Sequence, residues 1–116
     1  MNYLQYIYDA VTSSTSVDVY ALAAPQQLTD DYIVITVQGV SVTENKDLTP
    51  SETINATLFF HFADADEAQA ELAIIRDAVK TDLDYVSATL DGIQFFYDDI
   101  NERVLLAADF IFILNS

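Results

Sequence analysis

The sequence predicts an α+β fold in which two helices cover one face of an antiparallel sheet, in the order α-β-β-β-α-β-β. Apolar residues recur at helical spacing in two segments, and in five others they alternate or run without a break, as in β-strands. The chain has only two glycines and two prolines. With 116 residues, of which 52% are hydrophobic, residues 1–116 are expected to form a single packed domain.

Residues 2–11 are predicted to form the first helix. Its apolar side chains are three, four and seven positions apart, and Asn2 is its predicted N-cap. The run SSTS at residues 13–16 is expected to end the helix. The apolar stripe consists of Leu4, Ile7, Tyr8 and Val11.

The stretch VDVYALAAPQQLTDDYIVITVQ, residues 17–38, predicts a short edge strand followed by a long central one. Its first part alternates, whereas Tyr32 to Val37 is almost continuously apolar and β-branched. Between them, Pro25 removes a backbone donor and favours an extended conformation for the residue before it. The joint is therefore expected to be extended and exposed, and the second strand to reach Val42 with a bulge near Gly39.

The segment TENKDLTPSE, residues 43–52, has no apolar periodicity and is predicted to be a mobile loop between strands. Residues 53–63 then alternate strictly and predict a half-buried strand. Its inner face is Ile54, Ala56, Leu58, Phe60 and Phe62, and its outer face is Thr53, Asn55, Thr57, Phe59 and His61.

The second helix follows this strand directly. Asp64 is its predicted N-cap, and acidic residues in the first turn with Arg76 and Lys80 later match the helix dipole. Residues 87–97, broken near Asp91-Gly92, and residues 103–114 then predict an antiparallel hairpin with an acidic turn. The expected buried stripe of the helix is Ala65, Ala68, Leu72, Ile75 and Val79.

The charge is the most unusual bulk property, since 19 acidic residues and four basic ones give a formal net charge of −15. Such a surface repels phosphate, so ordinary nucleic-acid binding and binding to anionic membranes are both disfavoured. Three interpretations remain: plain solubility, adaptation to high salt, or a surface that lies close to DNA without binding it.

No pattern predicts catalysis, a cofactor or a metal. The chain has no cysteine and a single histidine, His61, which excludes a zinc site rich in nitrogen or sulfur ligands. No nucleophile motif, phosphate loop or HExxH motif occurs. The acids at 64–71 and 98–102 are interpreted as a helix start and a solvated turn, although such oxygen ligands could also hold Ca²⁺ or Mg²⁺. Without a signal peptide or a run of about 18 apolar residues, the chain is expected to be soluble and not exported.

Apolar side chains point to both faces of the predicted sheet. Phe59 and Phe96 point away from the faces that hold Phe60 and Phe95, and the last strand is apolar on both sides except at Asp109. Because helices cover only one face, the other is expected to have a second layer or to meet another copy of the chain. The subunit interface is the favoured interpretation.

Two stretches carry a family resemblance. In YALAAPQQLTDDYIVI, residues 20–35, a short strand enters a proline joint before a long tyrosine-led strand. In TINATLFFHFADADEAQAELAIIRDAVKTDL, residues 53–83, a strand runs directly into an acid-started helix that ends in IRDAV. With the N-terminal helix and the C-terminal hairpin, these stretches resemble the tail-completion proteins of long-tailed bacterial and archaeal viruses, also called tail terminators or head–tail joining proteins.

The resemblance implies a virion structural protein that forms a ring, generally six-fold, at the head-proximal end of the tail tube. Such a ring stops growth of the tail-tube protein, docks the head–tail connector or adaptor protein and lets DNA pass without specific binding, after assembly in the host cytoplasm. The negative charge is deeper than in most familiar examples, and an acidic lumen or a high-salt host would each account for it. The predicted interface residues are Pro25, Gln26, Gln27, Lys46, Asp47, Thr49, Phe59, His61 and Phe96.

An alternative from a different class is an acidic cytoplasmic module that binds a cation or a basic protein partner through the acids at 64–71 and 98–102. A Ca²⁺ titration followed by thermal unfolding tests it, because a ligand selective for the native state raises the melting temperature. An enzyme is a third and weaker hypothesis, since no nucleophile and base signature is present.

Overall fold

The structure is a computed structural model that describes residues 3–24, 30–43, 51–82, 85–100 and 102–115. Two helices and five strands confirm the predicted α+β class and element order. The helices are α1 (Tyr3–Ser14) and α2 (Ala65–Asp82). The strands are β1 (Asp18–Ala21), β2 (Tyr32–Thr43), β3 (Ser51–Phe62), β4 (Tyr85–Asp98) and β5 (Arg103–Asn115).

The five strands form one sheet in the spatial order β1-β2-β3-β5-β4. All neighbouring pairs are antiparallel except β1 and β2, which are parallel, with Asp18 beside Tyr32. The prediction of a wholly antiparallel sheet is therefore wrong at this edge. A tight hairpin would have reversed the chain, whereas β2 begins at the end of the sheet where β1 also begins.

Bulges interrupt two of the long strands where the sequence predicted irregularity. The register between β2 and β3 shifts at Gln38, beside Gly39, and the register between β4 and β5 shifts at Asp91, beside Gly92. A bulge adds one unpaired residue and increases the local twist of the strand.

The predicted loop at residues 43–52 is shorter than expected, because β2 and β3 continue to pair as far as Thr43 and Ser51. The rest of that loop, and the predicted N-cap Asn2, lie outside the described residues. The long hairpin arms give the molecule an elongated shape, with extents of 53 × 23 × 22 Å.

The first helix runs past the predicted end at Val11 as far as Ser14. The hydroxyls of Ser13 and Ser14 both donate to the carbonyl of Ala10, at 3.0 and 2.5 Å, so these serines extend the last turn instead of breaking it. The start of α2 is as predicted: the Asp66 amide donates to the Asp64 carboxylate at 2.8 Å, which is an N-cap.

The hydrophobic core lies between the helices and one face of the sheet, which we call the covered face. Helix α1 packs on β1 and β2, and α2 packs on β3, β4 and β5. The predicted inner face of β3 is completely buried, and the stripe of α2 is buried except at the partly exposed Ala65. The largest buried side chains are Phe60, Phe110, Phe112, Ile7, Ile33, Ile35, Ile54, Leu58, Ile75 and Leu106.

Candidate functional site

The opposite face of the sheet, which we call the open face, has neither helix on it in the described part of the chain. The strand registers arrange its side chains in rows across the sheet. The first row is Asp18, Tyr32, His61, Leu105 and Phe96, and the second is Tyr20, Val34, Phe59, Ala107 and Gln94. Further along the strands come a polar row of Thr36, Thr57, Asp109 and Gly92, and a mixed row of Gly39, Asn55, Ile111 and Thr89.

The first two rows form a largely apolar surface. Val34 and Ala107 are buried near its centre, while Phe59 and Leu105 beside them are partly exposed. At the β4 edge Phe96 is 52% exposed. A contiguous exposed apolar surface of this kind is typical of a protein–protein contact.

Aromatic rings line the β1 side of the open face. The ring of Tyr20 meets the ring of Tyr32 edge-on at 6.0 Å, and Tyr32 stacks on His61 at 4.4 Å with an interplanar angle of 7°. Such cross-strand ring pairs fix side-chain orientation before any partner binds. The aromatic part of the open face is therefore preorganised.

Arg103 fixes the end of the chain's long joint against the sheet. Its Nη2 donates to the carbonyl of His61 at 2.8 Å and to the carbonyl of Asp30 at 3.1 Å, and it lies 3.3 Å from the Asp31 carboxylate. The same Asp31 oxygen accepts the Ala63 amide at 3.0 Å. These contacts tie β5 to the residues before β2 and after β3, so they hold the sheet together at the end where the open face is aromatic.

The environment of His61 favours its neutral form. Partial burial of the ring, and secondarily the charge of the nearby Arg103, lower the pKa of His61 below its ordinary value of 6.5. Near neutral pH the open face therefore carries an uncharged imidazole stacked on Tyr32.

A polar row interrupts the apolar surface near the two bulges. The hydroxyl of the buried Thr57 donates to the Asp109 carboxylate at 2.6 Å. Both residues line a shallow depression of about 340 Å³ together with the bulge residues Gln38 and Asp91. The hydroxyl of Thr57 is satisfied inside the sheet, which explains how a polar side chain is buried there.

The predicted interface residues divide into two groups. Phe59, His61 and Phe96 all lie on the open face, in adjacent rows, as the alternation predicted. The residues of the joint and the loop lie outside the described residues; they are Pro25, Gln26, Gln27, Lys46, Asp47 and Thr49. Arg103 and the Thr57–Asp109 pair were not predicted from the sequence, because both depend on contacts between residues far apart in the chain.

The acidic clusters have structural partners. Asp64 caps α2, Glu71 accepts a hydrogen bond from Thr15 of the loop after α1, and Asp98 accepts the Ile100 amide at 3.0 Å in the β4–β5 turn. Among the residues that the structure describes, no three His, Asp or Glu side chains converge so as to hold a metal ion. Within the same residues, neither helix is long and apolar enough to cross a membrane.

Comparison with known proteins gives one kind of match. No protein-family model matches the chain, and no curated protein matches it. A solved structure with the same fold is a chain of the virion of a native gene transfer agent particle. That chain is 17% identical, with a TM-score of 0.64, and the alignment covers 100% of both chains.

The likeness is one of fold, over the full length of both chains. At 17% identity little beyond the alternation of buried residues needs to be shared. The comparison therefore shows a shared fold and no more than that.

Proposed function

We propose that this chain is a virion structural protein that forms a ring at the head-proximal end of a tail tube. The ring stops tube growth, joins the tail to the head connector and leaves a passage for DNA. It works by shape and assembly and has no catalytic role. The observation that carries the proposal is an uncovered, preorganised apolar face on a chain whose whole fold is that of a virion chain.

The open face supports assembly with other protein. Its first two rows expose Phe96 and part of Phe59, which in an isolated subunit leaves apolar surface in water. Burial of such a surface against another copy or the tail tube stabilises the assembly at about 25 cal/mol for each Å² removed from water. We expect this apolar surface to be fully buried only when the subunit is in its ring.

The charge supports a passage for DNA and makes assembly depend on salt. A formal charge of −15 on each copy opposes association at low ionic strength, because like charges within a Debye length of about 10 Å repel. Acids that face a lumen repel the phosphates of DNA, so the nucleic acid slides past without binding. The proposed location is the head–tail interface of a virion, after assembly in the host cytoplasm.

Light scattering after gel filtration, at low and at molar salt, tests the proposal. We expect a ring-sized species that is favoured by high salt or by added tail-tube protein, and electron microscopy should show rings on tube ends. A strict monomer in all of these conditions would contradict the proposal.

A pair of variants assigns the assembly to the open face. Phe96→Ser should reduce ring formation at least tenfold while leaving the melting temperature nearly unchanged, since Phe96 is 52% exposed. Ile74→Ser is the matched control, because Ile74 is 54% exposed on the outer side of α2. Equal assembly by the two variants would exclude the open face from the ring or tube contact.

A further inference from the structure

The end of β1 presents an exposed leucine on a strained backbone. Leu22 has a φ of 71°, and its side chain is 64% exposed. The Leu22 amide donates to the Ile35 carbonyl at 2.9 Å, and the Ala23 amide donates to the Ala21 carbonyl at 2.9 Å, which closes a γ-turn around Leu22. A γ-turn with positive central φ is strained and uncommon, and glycine would adopt it without that strain. A strained and solvent-exposed leucine suggests that its side chain contacts another molecule.

The opposite edge of the sheet carries an apolar groove. It lies between α2 and β4, with a volume of about 360 Å³. Ile93 and Phe95 on its β4 side are 44% and 49% exposed. The lining residues are Gln69, Leu72, Ala73, Arg76, Leu90, Ile93 and Phe95.

The leucine and the groove lie at the same level of the sheet, on opposite edges. A single row runs from Ala21 at the β1 edge to Ile93 at the β4 edge, and Leu22 directly follows Ala21. The complete row is Ala21, Ile35, Leu58, Ala108 and Ile93. A second copy displaced sideways along this row therefore brings its Leu22 to the height of the groove.

We propose that Leu22 of one copy inserts into the groove between α2 and β4 of the next copy. The inference rests on the proposed ring and names the contact that closes it. The two surfaces are different and lie on opposite edges, so the contact is head-to-tail, and rotation about an axis along the strands repeats it around a closed ring.

The positive charge at the groove favours an acidic partner, and a second copy of this chain is acidic. Arg76 is one of only four basic residues, and it lies exposed at the groove in a chain of formal charge −15. The repulsion that opposes contact between two copies is therefore weaker at the groove than over most of the surface. The apolar lining accepts the leucine, while the basic side chain faces a negative partner.

Cysteine crosslinking tests the contact directly, because the natural chain has no cysteine. The double variant Leu22→Cys/Ala73→Cys places one thiol on each edge. Ala73 lies on the α2 wall of the groove, beside β4, and the β1 and β4 edges are about 19 Å apart, four strand spacings of about 4.8 Å. The two thiols are therefore too far apart to pair within one subunit. Mild oxidation of the double variant at molar salt should give a ladder of covalent multimers that ends in a closed ring.

The controls separate the contact from the ring. Leu22→Cys alone and Ala73→Cys alone should give no species beyond a dimer, and Leu22→Cys/Ile74→Cys should give no ladder, since Ile74 is not among the residues that line the groove. If the double variant assembles like the natural chain but gives no ladder, the proposed contact of Leu22 with the groove is wrong, while the proposed ring is not contradicted. If the natural chain itself is always monomeric, the ring and this contact both fail.

A second measurement tests the head-to-tail arrangement. Leu22→Asp removes the inserted side chain, and Ala73→Trp fills the groove, so each variant alone should be monomeric. Mixed in equal amounts they retain one intact contact and should form a dimer that grows no further. A ring from either single variant, or no dimer from the mixture, would overturn the proposal.

Discussion

The two faces of one sheet differ in what they contact, although the same strands build both. In β3, Phe60 on the covered face is completely buried beneath the helices, while its neighbour Phe59 on the open face remains partly exposed. The hydrophobic character of the two residues is identical. What separates them is that α1 and α2 both pack on one side, so the fold depends on the covered face, while the open face is the one we propose for assembly.

Phe60→Ala should have the largest effect on folding. Truncation of a fully buried phenylalanine leaves a cavity and lowers the free energy of unfolding by about 3–5 kcal/mol. Urea unfolding of the monomer at low salt measures the loss. Phe59→Ala is the matched control, because the same deletion on the open face should cost less than half as much. Equal losses would show that the open face is also part of the folded core of the single subunit.

Arg103→Met should have the next largest effect, because it removes contacts that join β5 to β3 and to the residues before β2 at one end of the sheet. The substitution deletes hydrogen bonds to the carbonyls of His61 and Asp30 and the ion pair with Asp31. We expect a loss of about 1–3 kcal/mol in the free energy of unfolding, since charged hydrogen bonds to partly buried acceptors are lost while the apolar stem is kept. Arg103→Lys keeps the positive charge but not the forked guanidinium group, so it should recover only part of the lost free energy of unfolding. Full stability of Arg103→Met would mean that solvent replaces these contacts without loss.

The elements that could be predicted from the sequence are those set by local pattern. The strict alternation of β3 placed its inner face in the core correctly, although Thr57 on the other face is buried as well. Asp64 was identified as an N-cap because capping needs only neighbouring residues. The same alternation placed Phe59, His61 and Phe96 on one face.

The features that escaped prediction depend on contacts between distant segments. The parallel pairing of β1 with β2 depends on the relative direction of two separate strands, which periodicity does not describe. The positive φ of Leu22 has no local signal, because leucine is not a residue that favours it. From the sequence, Arg103 is only the first residue of a predicted strand. Its contacts with Asp30, Asp31 and His61 form only in the folded chain.

Substitution of His61 should have the smallest effect on the free energy of unfolding, and the pKa of His61 reports whether the open face is covered. Its pKa is lowered in the folded chain, so above pH 6.5 both the folded and the unfolded states hold it neutral and it contributes nothing. As the pH falls below 6.5 the unfolded state takes up the proton first, and the free energy of unfolding decreases until the folded pKa is passed. His61→Phe keeps a ring beside Tyr32 and should remove this part of the pH dependence, which urea unfolding between about pH 7.5 and 5.5 measures above the range where most carboxylates titrate.

The same titration distinguishes the free subunit from the assembly. If another chain covers the open face in the ring, burial of the imidazole increases, so its pKa falls further and the neutral form persists to lower pH. NMR of a ¹⁵N-labelled imidazole in the monomer at low salt and in the ring at molar salt would follow this shift, with the salt effect itself measured on the monomeric fraction of the Phe96→Ser variant. A lower His61 pKa in the ring places the open face in the contact. An unchanged pKa leaves His61 as exposed as in the monomer, and the ring would then be held together by its edges alone, through contacts such as that of Leu22 with the groove.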